Sequence, residues 1–375
     1  MRKLITATTL ALALVLTGCA SLGTSEPSEP PTPPSTAPEV GFPADAVIGV
    51  SFPQKTIAAW SLPEIFFNDG LKDAGFKPKV VFADAGGVQQ QQEQIQSMID
   101  AGAKVIIVSP IDGSRLGEQL ASAKQAGITV IAYERLLTGT PDVDMYIAYD
   151  YCQVGTVQGT ALLEGLAKKG PGPYNIELIA GASEDGSSLV FFNCAMEVLQ
   201  PKIDDGTLRI PSGQTTMQQV RTEGWLAANA QIRIETILSD FYSDGTKLNG
   251  ILSPNDTLAR AAITALEDAS LPIPVVTGQD AEEESIRLIA EGRQHSTVFL
   301  DDFTLVTQTI SLVKQLQQGQ EITFNDTTTF DNGVKVVPAH MLSPMLITQD
   351  NICTALDLYS AAGRAAAETP LCKGE

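Results

Sequence analysis

Residues 105–132 read VIIVSPIDGSRLGEQLASAKQAGITVIA and contain, in one run, the pattern that decides the fold. Two short runs rich in Val and Ile, at 105–108 and 129–132, flank an amphipathic stretch at 116–126 that is followed by Gly127. Buried parallel strands have such apolar runs, and glycine commonly ends a helix because it accepts a left-handed backbone conformation. The stretch therefore predicts one strand–helix–strand unit of a parallel sheet.

The same alternation of short apolar runs and longer amphipathic stretches continues on both sides of this unit. We predict the other strands at residues 46–52, 80–83, 146–148, 176–179, 250–252 and 274–276. We predict the other helices at residues 62–74, 89–101, 154–166, 227–238 and 258–269, and one more that ends near Leu199. The simplest account is an α/β fold with two doubly wound parallel sheets in series.

The length and composition allow two folded domains and argue against one class of partner. The chain has 375 residues, of which 43% are hydrophobic and 18% are charged, so it can bury a sizeable core. Its formal net charge of -20 argues against nucleic acid as a partner, because phosphate binding is driven by Lys and Arg.

The N-terminal residues predict export from the cytoplasm. The basic pair Arg2-Lys3 precedes an apolar run over residues 4–16, which is shorter than a membrane span and is typical of a signal peptide over residues 1–18. The sequence Leu16-Thr17-Gly18-Cys19 resembles the bacterial lipobox, which implies that Cys19 is lipidated and becomes the first residue of the mature chain. The alternative is a plain secretory signal with an incidental cysteine.

Residues 19–44 form a segment that has little to bury after Cys19. The segment is dominated by Ser, Thr, Glu and Pro, so we predict a disordered, extended tether rather than part of a folded domain. Together with the lipobox, it predicts an extracytoplasmic body held near the cell membrane by a lipid anchor.

Four cysteines remain for the body, where an oxidising compartment permits disulfides. Cys353 and Cys372 bracket a short terminal segment, so we favour a bridge between them, which leaves Cys152 and Cys194 as the remaining pair. The alternative is four small buried apolar side chains. We expect no metal site, because the only histidines are His295 and His340 and neither has a cysteine at ligand spacing.

Polar and aromatic side chains follow the predicted strands, where ligands bind in open parallel sheets. Taken singly, each of the polar residues is also a plausible helix cap. Together they offer carboxylates, an amide, a guanidinium and an indole face, a set that suits a small polyhydroxylated ligand. The candidate ligand-binding residues are Trp60, Glu134, Arg135, Asp150, Asn255 and Asp280.

Signals for catalysis are weak along the whole chain. The sequence contains no Gly-x-Ser-x-Gly elbow, no His-Glu-x-x-His, no Walker loop and no Gly-x-Gly-x-x-Gly after a strand. We therefore expect no catalytic residues and no cofactor. An extracytoplasmic glycosidase with paired carboxylates is an alternative, although no feature places two carboxylates at a set separation.

Four stretches, in this order along the chain, resemble the type I periplasmic sugar-binding proteins of ABC importers. The similarity is strongest to xylose-binding and multiple-monosaccharide receptors and spans about residues 46–348. The stretches that carry it are Ile131-Ala132-Tyr133-Glu134-Arg135-Leu136, Leu252-Ser253-Pro254-Asn255-Asp256, Thr277-Gly278-Gln279-Asp280-Ala281-Glu282 and Asp331-Asn332-Gly333-Val334-Lys335-Val336-Val337-Pro338.

This resemblance implies two doubly wound parallel-sheet lobes joined by three hinge crossings, with the sugar in the cleft between them. The crossings are expected near residues 149–150, 299–300 and 328–330. The N-terminal lobe then comprises 45–149 and 301–328, the C-terminal lobe 150–300 and 329–350, and a tail 351–375. The implied function is ligand capture by a monomer, hinge closure and delivery to an ABC permease in the membrane. A sugar-sensing receptor that feeds a membrane signalling protein is the alternative.

The family's ligand contacts fall on the candidate residues already singled out. Arg135 matches the Arg of an Asp-Arg dipeptide, and Glu134 matches its acidic partner with one more methylene. Asp150 matches the cleft Asp at the entrance to the second lobe. Asn255 and Asp280 match the Asn of an Asn-Asp pair and the Asp of a Gly-Gln-Asp motif, and Trp60 lies where first-lobe aromatic and basic contacts lie.

Three positions depart from the family pattern. Ala59 stands where an Arg often precedes the Trp, Tyr151 where an Asn commonly follows the entrance Asp, and Leu300 where a Lys often stands. The loss of two cations and an amide removes hydrogen-bond donors. It leaves open whether the ligand is xylose, glucose or galactose, a different sugar, or a less polar molecule.

Overall fold

A computed structural model describes residues 41–55, 60–84, 87–353 and 356. The chain divides into two units, Met1–Glu39 and Val40–Glu375, and all described residues belong to the second. The predicted signal peptide, Cys19 and nearly all of the predicted tether lie outside the described residues, as do Ala59 and Cys372. Among the described residues, no helix is both long enough and apolar enough to span a membrane.

The described chain alternates strands and helices, as the sequence predicts. The strands are β1 (Val47–Phe52), β2 (Lys77–Phe82), β3 (Val105–Val108), β4 (Thr129–Tyr133), β5 (Met145–Tyr149), β6 (Tyr174–Leu178), β7 (Leu208–Arg209), β8 (Gly250–Leu252), β9 (Val275–Val276), β10 (Ser296–Phe299), β11 (Ala339–Leu342) and β12 (Met345–Thr348). The helices are α1 (Ser61–Asp73), α2 (Gly87–Asp100), α3 (Gly117–Gln125), α4 (Tyr151–Lys168), α5 (Gly186–Asp204), α6 (Met217–Val220), α7 (Ala227–Phe241), α8 (Asp256–Asp268), α9 (Glu283–Ala290) and α10 (Asp302–Gln317).

The first sheet has six strands in the order β11-β5-β4-β3-β1-β2, and every neighbouring pair in it is parallel. The β3–α3–β4 unit lies where the sequence predicts it. All four residues of β3 are buried, and β4 is buried from Val130 to Tyr133. Helices covering both faces explain why these strands consist of continuous Val and Ile runs rather than an alternating pattern.

The second sheet contains the parallel strands β7-β6-β8-β9. Strand β10 lies beside the segment that directly follows β9, and the Val298 amide donates to the Gly278 carbonyl there at 3.1 Å. Strand β12 pairs with β10 in the antiparallel direction. The predicted fold class, an α/β chain with two mostly parallel sheets, is therefore confirmed.

The third connection between the sheets differs from the prediction near residues 328–330. Strand β11, which the sequence places in the second lobe, pairs with β5 and so extends the first sheet. The open edge of β5 needs a partner for its backbone groups, and the Asp150 amide donates to the Leu342 carbonyl at 2.9 Å. The chain leaves the first sheet only after Leu342, between β11 and β12. The other lobe boundaries stay predictions.

The three connections between the sheets lie beside one another. The Tyr149 hydroxyl, at the end of β5, accepts from the Asp301 amide at 2.7 Å and donates to the Asp301 carbonyl at 3.2 Å. The contact between Asp150 and Leu342 joins the first connection to the third in the same way. The chain connections between the two sheets thus lie in one narrow region, and a cleft lies between the sheets next to it.

Candidate functional site

A cleft lies between the carboxyl ends of the strands of both sheets. Its empty volume is about 460 Å³, including its opening to solvent. The lining residues are Trp60, Glu134, Arg135, Tyr151, Asp185, Ser187, Phe191, Trp225, Asn255, Gln279 and Asp280. A side recess is lined by Glu134, Gln279, Asp280, Leu300 and Asp302.

The end of β4 places Glu134 and Arg135 in the cleft. Glu134 has a left-handed backbone conformation with φ of 58°, which is uncommon outside glycine and asparagine. Two hydrogen bonds support this turn: the Glu134 amide donates to the Ile147 carbonyl at 2.9 Å, and the Tyr146 hydroxyl donates to the Glu134 carbonyl at 2.7 Å. The backbone at the site is therefore held in a strained conformation by its neighbours.

Arg135 is held by three groups. Its Nε lies 2.9 Å from Asp185 Oδ2, its Nη1 donates to the Pro110 carbonyl at 3.2 Å, and its guanidinium carbon lies 5.5 Å from the centre of a Trp60 ring. The exposed fractions of the Arg135 and Asp185 side chains are 11% and 5%, so the ion pair is largely removed from solvent. The pair links β4 of the first sheet to α5, which packs on the second.

Asp185 is a cleft residue that the sequence does not single out. Its side chain accepts from the Ser187 amide at 3.0 Å and so caps α5 at the helix N-terminus. It lies seven residues beyond Leu178, the last residue of β6. A search for polar residues directly after each predicted strand therefore does not reach it. The signal that could have found it is an acidic residue at the predicted start of a helix after a buried strand.

The second sheet contributes an amide and a carboxylate that contact each other. Asn255 caps α8 by accepting from the Leu258 amide at 3.0 Å, and its Nδ2 lies 3.5 Å from Asp280 Oδ2. Gln279 Nε2 donates to Asp280 Oδ1 at 3.1 Å, and Asp280 has φ of 92°. Two amide groups thus orient the Asp280 carboxylate in the cleft.

Asp256 stabilises the loop that carries Asp280 through buried hydrogen bonds. It is fully buried, and its carboxylate accepts from the Glu282 amide at 2.9 Å, the Thr297 hydroxyl at 3.0 Å and Gln294 Nε2 at 2.8 Å. Burial, with the nearby Glu282 and Asp280, raises the pKa of Asp256 well above its usual range. Gly278 leaves the room for this carboxylate, since a Cβ there would lie 2.1 Å from Asp256 Oδ1.

Aromatic rings form the apolar walls of the cleft. Trp60 is 4% exposed and packs on Phe52, with ring centres 5.3 Å apart. On the other side, Phe191 lies between Tyr151 and Trp225, with ring centres 6.2 and 6.1 Å away. The Trp60 Nε1 is buried without a hydrogen-bond partner in the described part of the chain.

The charge of Glu134 is unfavourable where it lies. Burial raises the pKa of Glu134 well above its usual range, and the carboxylates of Asp302 and Asp280 raise it further, while Arg135 acts in the opposite direction. A carboxyl that resists ionisation in a cleft is a common feature of functional sites.

Five of the six predicted ligand residues line the cleft, and Asp150 does not. Asp150 caps α4 by accepting from the Gln153 amide at 3.0 Å, and the next residue, Tyr151, lines the cleft in its place. A cap is the alternative that applies to any polar residue after a strand, although Asn255 and Asp185 both cap a helix and line the cleft. Ligand contact stays a prediction for all six residues, Asp150 included.

A disulfide joins the two helices beside the cleft. The predicted Cys152–Cys194 bridge is present, with Cα atoms 5.2 Å apart, and connects α4 to α5. The other predicted bridge, Cys353–Cys372, involves a residue outside the described part of the chain and stays a prediction.

Comparisons with known proteins agree with this architecture. Residues 48–321 match the periplasmic binding protein domain family. The multiple sugar-binding periplasmic receptor ChvE of Rhizobium radiobacter is 37% identical over 83% of this chain and 89% of its own length. The D-xylose-binding periplasmic protein of Escherichia coli (strain K12) is 31% identical over 81% of this chain and 87% of its own.

A solved structure has the same fold. It is an ABC transporter solute binding protein from Clostridium phytofermentans with bound β-D-glucose, with a TM-score of 0.80 and 35% identity, covering 87% of this chain and 100% of that one. The family comprises extracytoplasmic substrate-binding receptors rather than enzymes. The chain therefore belongs to the type I periplasmic binding proteins, the family whose sugar-binding receptors its sequence resembles.

Proposed function

We propose that this protein is an extracytoplasmic solute-binding lipoprotein that captures a small polyhydroxylated ligand, a monosaccharide, and delivers it to an ABC permease. The observation that carries the proposal is the composition of the cleft: aromatic rings face it from both lobes, between carboxylate, amide and guanidinium groups. The relatives support the ligand class, since their names record sugar, xylose and glucose.

The cleft groups match the two kinds of surface that a sugar offers. Carboxylate oxygens of Asp280 and Asp185 accept from hydroxyl groups, and the Arg135 guanidinium donates to ring or hydroxyl oxygens. The indole faces of Trp60 and Trp225 suit the apolar C–H face of a sugar ring. Analogues that lack hydroxyls would leave these buried polar groups unpaired and so bind weakly.

Binding is tested with a thermal-shift panel of pentoses, hexoses, amino sugars and polyols on the mature chain expressed without its lipid anchor. A ligand at 100 times its dissociation constant stabilises the folded state by about 2.7 kcal/mol, which raises the melting temperature by several degrees. If no member of the panel shifts the melting temperature, the sugar assignment is wrong. Release of product from aryl glycosides would contradict the absence of catalysis.

The site is tested with Asp280→Asn on whichever sugar gives the largest shift. Asn tolerates the left-handed backbone at this position but loses the negative charge and half of the acceptor capacity. We expect about a 10- to 100-fold weaker affinity, the effect of about 1.5–3 kcal/mol for a hydrogen bond to a charged group, with little change in the melting temperature without ligand. Unchanged affinity would place the ligand elsewhere.

Delivery to a permease is tested in cells by uptake of the same labelled sugar at low concentration. We expect uptake to be lost when the gene is deleted, restored by the parent chain and not restored by Asp280→Asn. Normal uptake in the deletion strain would favour a sensing role instead. The lipid anchor is tested with Cys19→Ala, which we expect to release the protein from the membrane fraction into the soluble fraction.

A further inference from the structure

A second cavity lies beside the second sheet, at the edge opposite to the cleft. Its empty volume is about 820 Å³, including its opening to solvent. Pro274 and His295, which directly precede β9 and β10, line it together with Lys168 and Lys169 at the C-terminal end of α4. The cleft lies at the carboxyl ends of the strands, whereas this cavity lies at their starts. Among the described residues, the two have no lining residue in common, so the cavity is a separate place for a ligand.

The cavity has an excess of positive charge, although the formal net charge of the chain is -20. Lys168 and Lys169 line it, and among the described lining residues Asp350 has the only carboxylate. Lys168 Nζ lies 3.0 Å from Asp350 Oδ2, but the two side chains are 63% and 78% exposed, and such surface pairs contribute little to stability. Lys169 is exposed and forms no ion pair within the described part of the chain. Both ammonium groups can therefore turn towards an anion in the cavity.

His295 adds a third group that can carry a positive charge. Its ring packs against α4, where a Cβ on Gly165 would lie 2.7 Å from His295 Nε2. Burial lowers the pKa of His295, and the nearby charges of Lys168 and Lys169 lower it further. A backbone hydrogen bond and the carboxylate of Asp350 act in the opposite direction. The effect of both lysines on the ring indicates that one ligand can interact with all three groups.

The cavity also has an apolar part. Ile273 and Pro274 are half-buried, Ile289 is buried, and all three line the cavity. Apolar surface favours a ligand with carbon atoms over a bare inorganic ion, because contact with it removes apolar surface from water. The helix dipole alone favours lysines at the end of α4, but it does not account for a histidine and an apolar wall beside them.

We propose that this cavity binds a small organic dianion, a dicarboxylate or a phosphate ester, whose anionic groups contact Lys168, Lys169 and His295. The carbon atoms of the ligand contact the apolar part of the cavity. Binding replaces the exposed pair between Lys168 and Asp350 with charge-assisted contacts to the ligand, and it favours the protonated form of His295. The inference goes beyond the proposed function and does not depend on which sugar binds in the cleft.

The test uses histidine NMR signals of the mature, unlipidated chain. The chain has two histidines, so His295 reports on the cavity and His340, on β11 of the first sheet, is an internal reference. Succinate and glycerol phosphate are the probes, and sodium chloride at the same ionic strength is the control for screening. We expect at least one probe to shift the His295 signals saturably and to raise the pKa of His295, with His340 unchanged. No saturable shift with either probe, or an equal shift with sodium chloride, would overturn the proposal.

Lys169→Gln is the matching variant, and Lys72→Gln is its control. Lys72 is also an exposed lysine at a helix C-terminus, in the last turn of α1, so both variants lose the same charge in a similar place. We expect Lys169→Gln to weaken binding of the probe about three- to tenfold, and Lys72→Gln to leave it unchanged. Equal affinity of Lys169→Gln and the parent would contradict the assignment. Sugar binding in the cleft is measured separately, so neither result bears on the proposed function.

Discussion

At the scale of the residue, Glu134 and Arg135 are adjacent in sequence but differ in the charges that surround them: Arg135 has an oppositely charged partner, whereas Glu134 faces like charges. The Arg135 charge has an ion-pair partner in Asp185 at 2.9 Å. Glu134 instead faces Asp302 and Asp280, and burial together with these carboxylates raises its pKa. One turn after β4 therefore supplies a pre-oriented donor and an acidic group that is easily protonated.

Glu134→Gln should change how stability depends on pH. Because burial raises the pKa of Glu134 above 4.5, the folded state keeps a proton that the unfolded state loses as the pH rises past this value. The contribution of Glu134 to the free energy of unfolding is therefore greatest at low pH and falls as the pH rises towards the folded-state pKa. The variant should gain melting temperature relative to the parent as the pH rises above 4.5, measured without ligand.

The control for this experiment is Glu197→Gln, which removes an exposed carboxylate. Its melting temperature should follow the parent at every pH. Parallel curves for Glu134→Gln and the parent would show that Glu134 ionises normally in the folded protein.

The sequence predicts cleft residues on the segments that follow strands and misses most of those that helices bring in; it also misses Gln279, which follows β9 and precedes Asp280. Trp60, Glu134, Arg135, Asn255 and Asp280 all line the cleft. Side chains on the first turns of α4 and α5 and on the following loop also reach it, because helices that begin at a strand end point their N-termini at the same cleft. The missed residues are Tyr151, Asp185, Ser187, Phe191, Trp225, Gln279 and Asp302.

At the scale of the element, the predicted strands and helices up to β9 are found with small shifts of their ends. The later strands β10, β11 and β12 lack long Val and Ile runs, and β11 is only Ala-His-Met-Leu. Such strands form because an existing sheet edge offers them hydrogen-bond partners, and this information lies in the tertiary structure rather than in the local sequence.

Gly155 allows α4 and α5 to pack closely beside the cleft. A Cβ at this position would lie 2.0 Å from the Phe191 carbonyl oxygen, which is backbone and cannot move without the helix. Gly155→Ala should therefore push α5 away, destabilise the folded state by about 1–3 kcal/mol and displace the Phe191 ring from the cleft wall. A lower melting temperature and a weaker sugar affinity, measured together, would show this.

Gly117→Ala is the matched control, because a Cβ on this first residue of α3 would meet nothing within 4 Å. Its melting temperature should be unchanged or slightly higher, since Ala favours a helix by up to about 1 kcal/mol over Gly. If Gly155→Ala behaves like this control, α4 and α5 are not held at the distance described.

At the scale of the whole molecule, the two sheets are connected in two places of different strength. The three chain connections form a covalent hinge, where Tyr149 contacts Asp301. Across the cleft, the Arg135–Asp185 ion pair and a weaker contact, 3.3 Å between the Ser187 hydroxyl and the Glu134 carbonyl, join the lobes without any covalent link. Contacts of the second kind can break when the cleft opens.

Asp185→Asn should therefore shift the ligand-free protein towards an open form. Asn still caps α5, so the helix start is kept, but the ion pair across the cleft with Arg135 is lost. The radius of gyration from small-angle X-ray scattering should be larger for the ligand-free variant than for the ligand-free parent, and saturating ligand should bring both to the same smaller value. Closure then requires more of the binding free energy, so affinity should fall as well.

Glu197→Gln should scatter like the parent, which separates the loss of this particular pair from a change in net charge. Equal radii for the ligand-free variant and parent would mean that the ion pair does not hold the lobes together, and that closure depends on the ligand and the hinge alone.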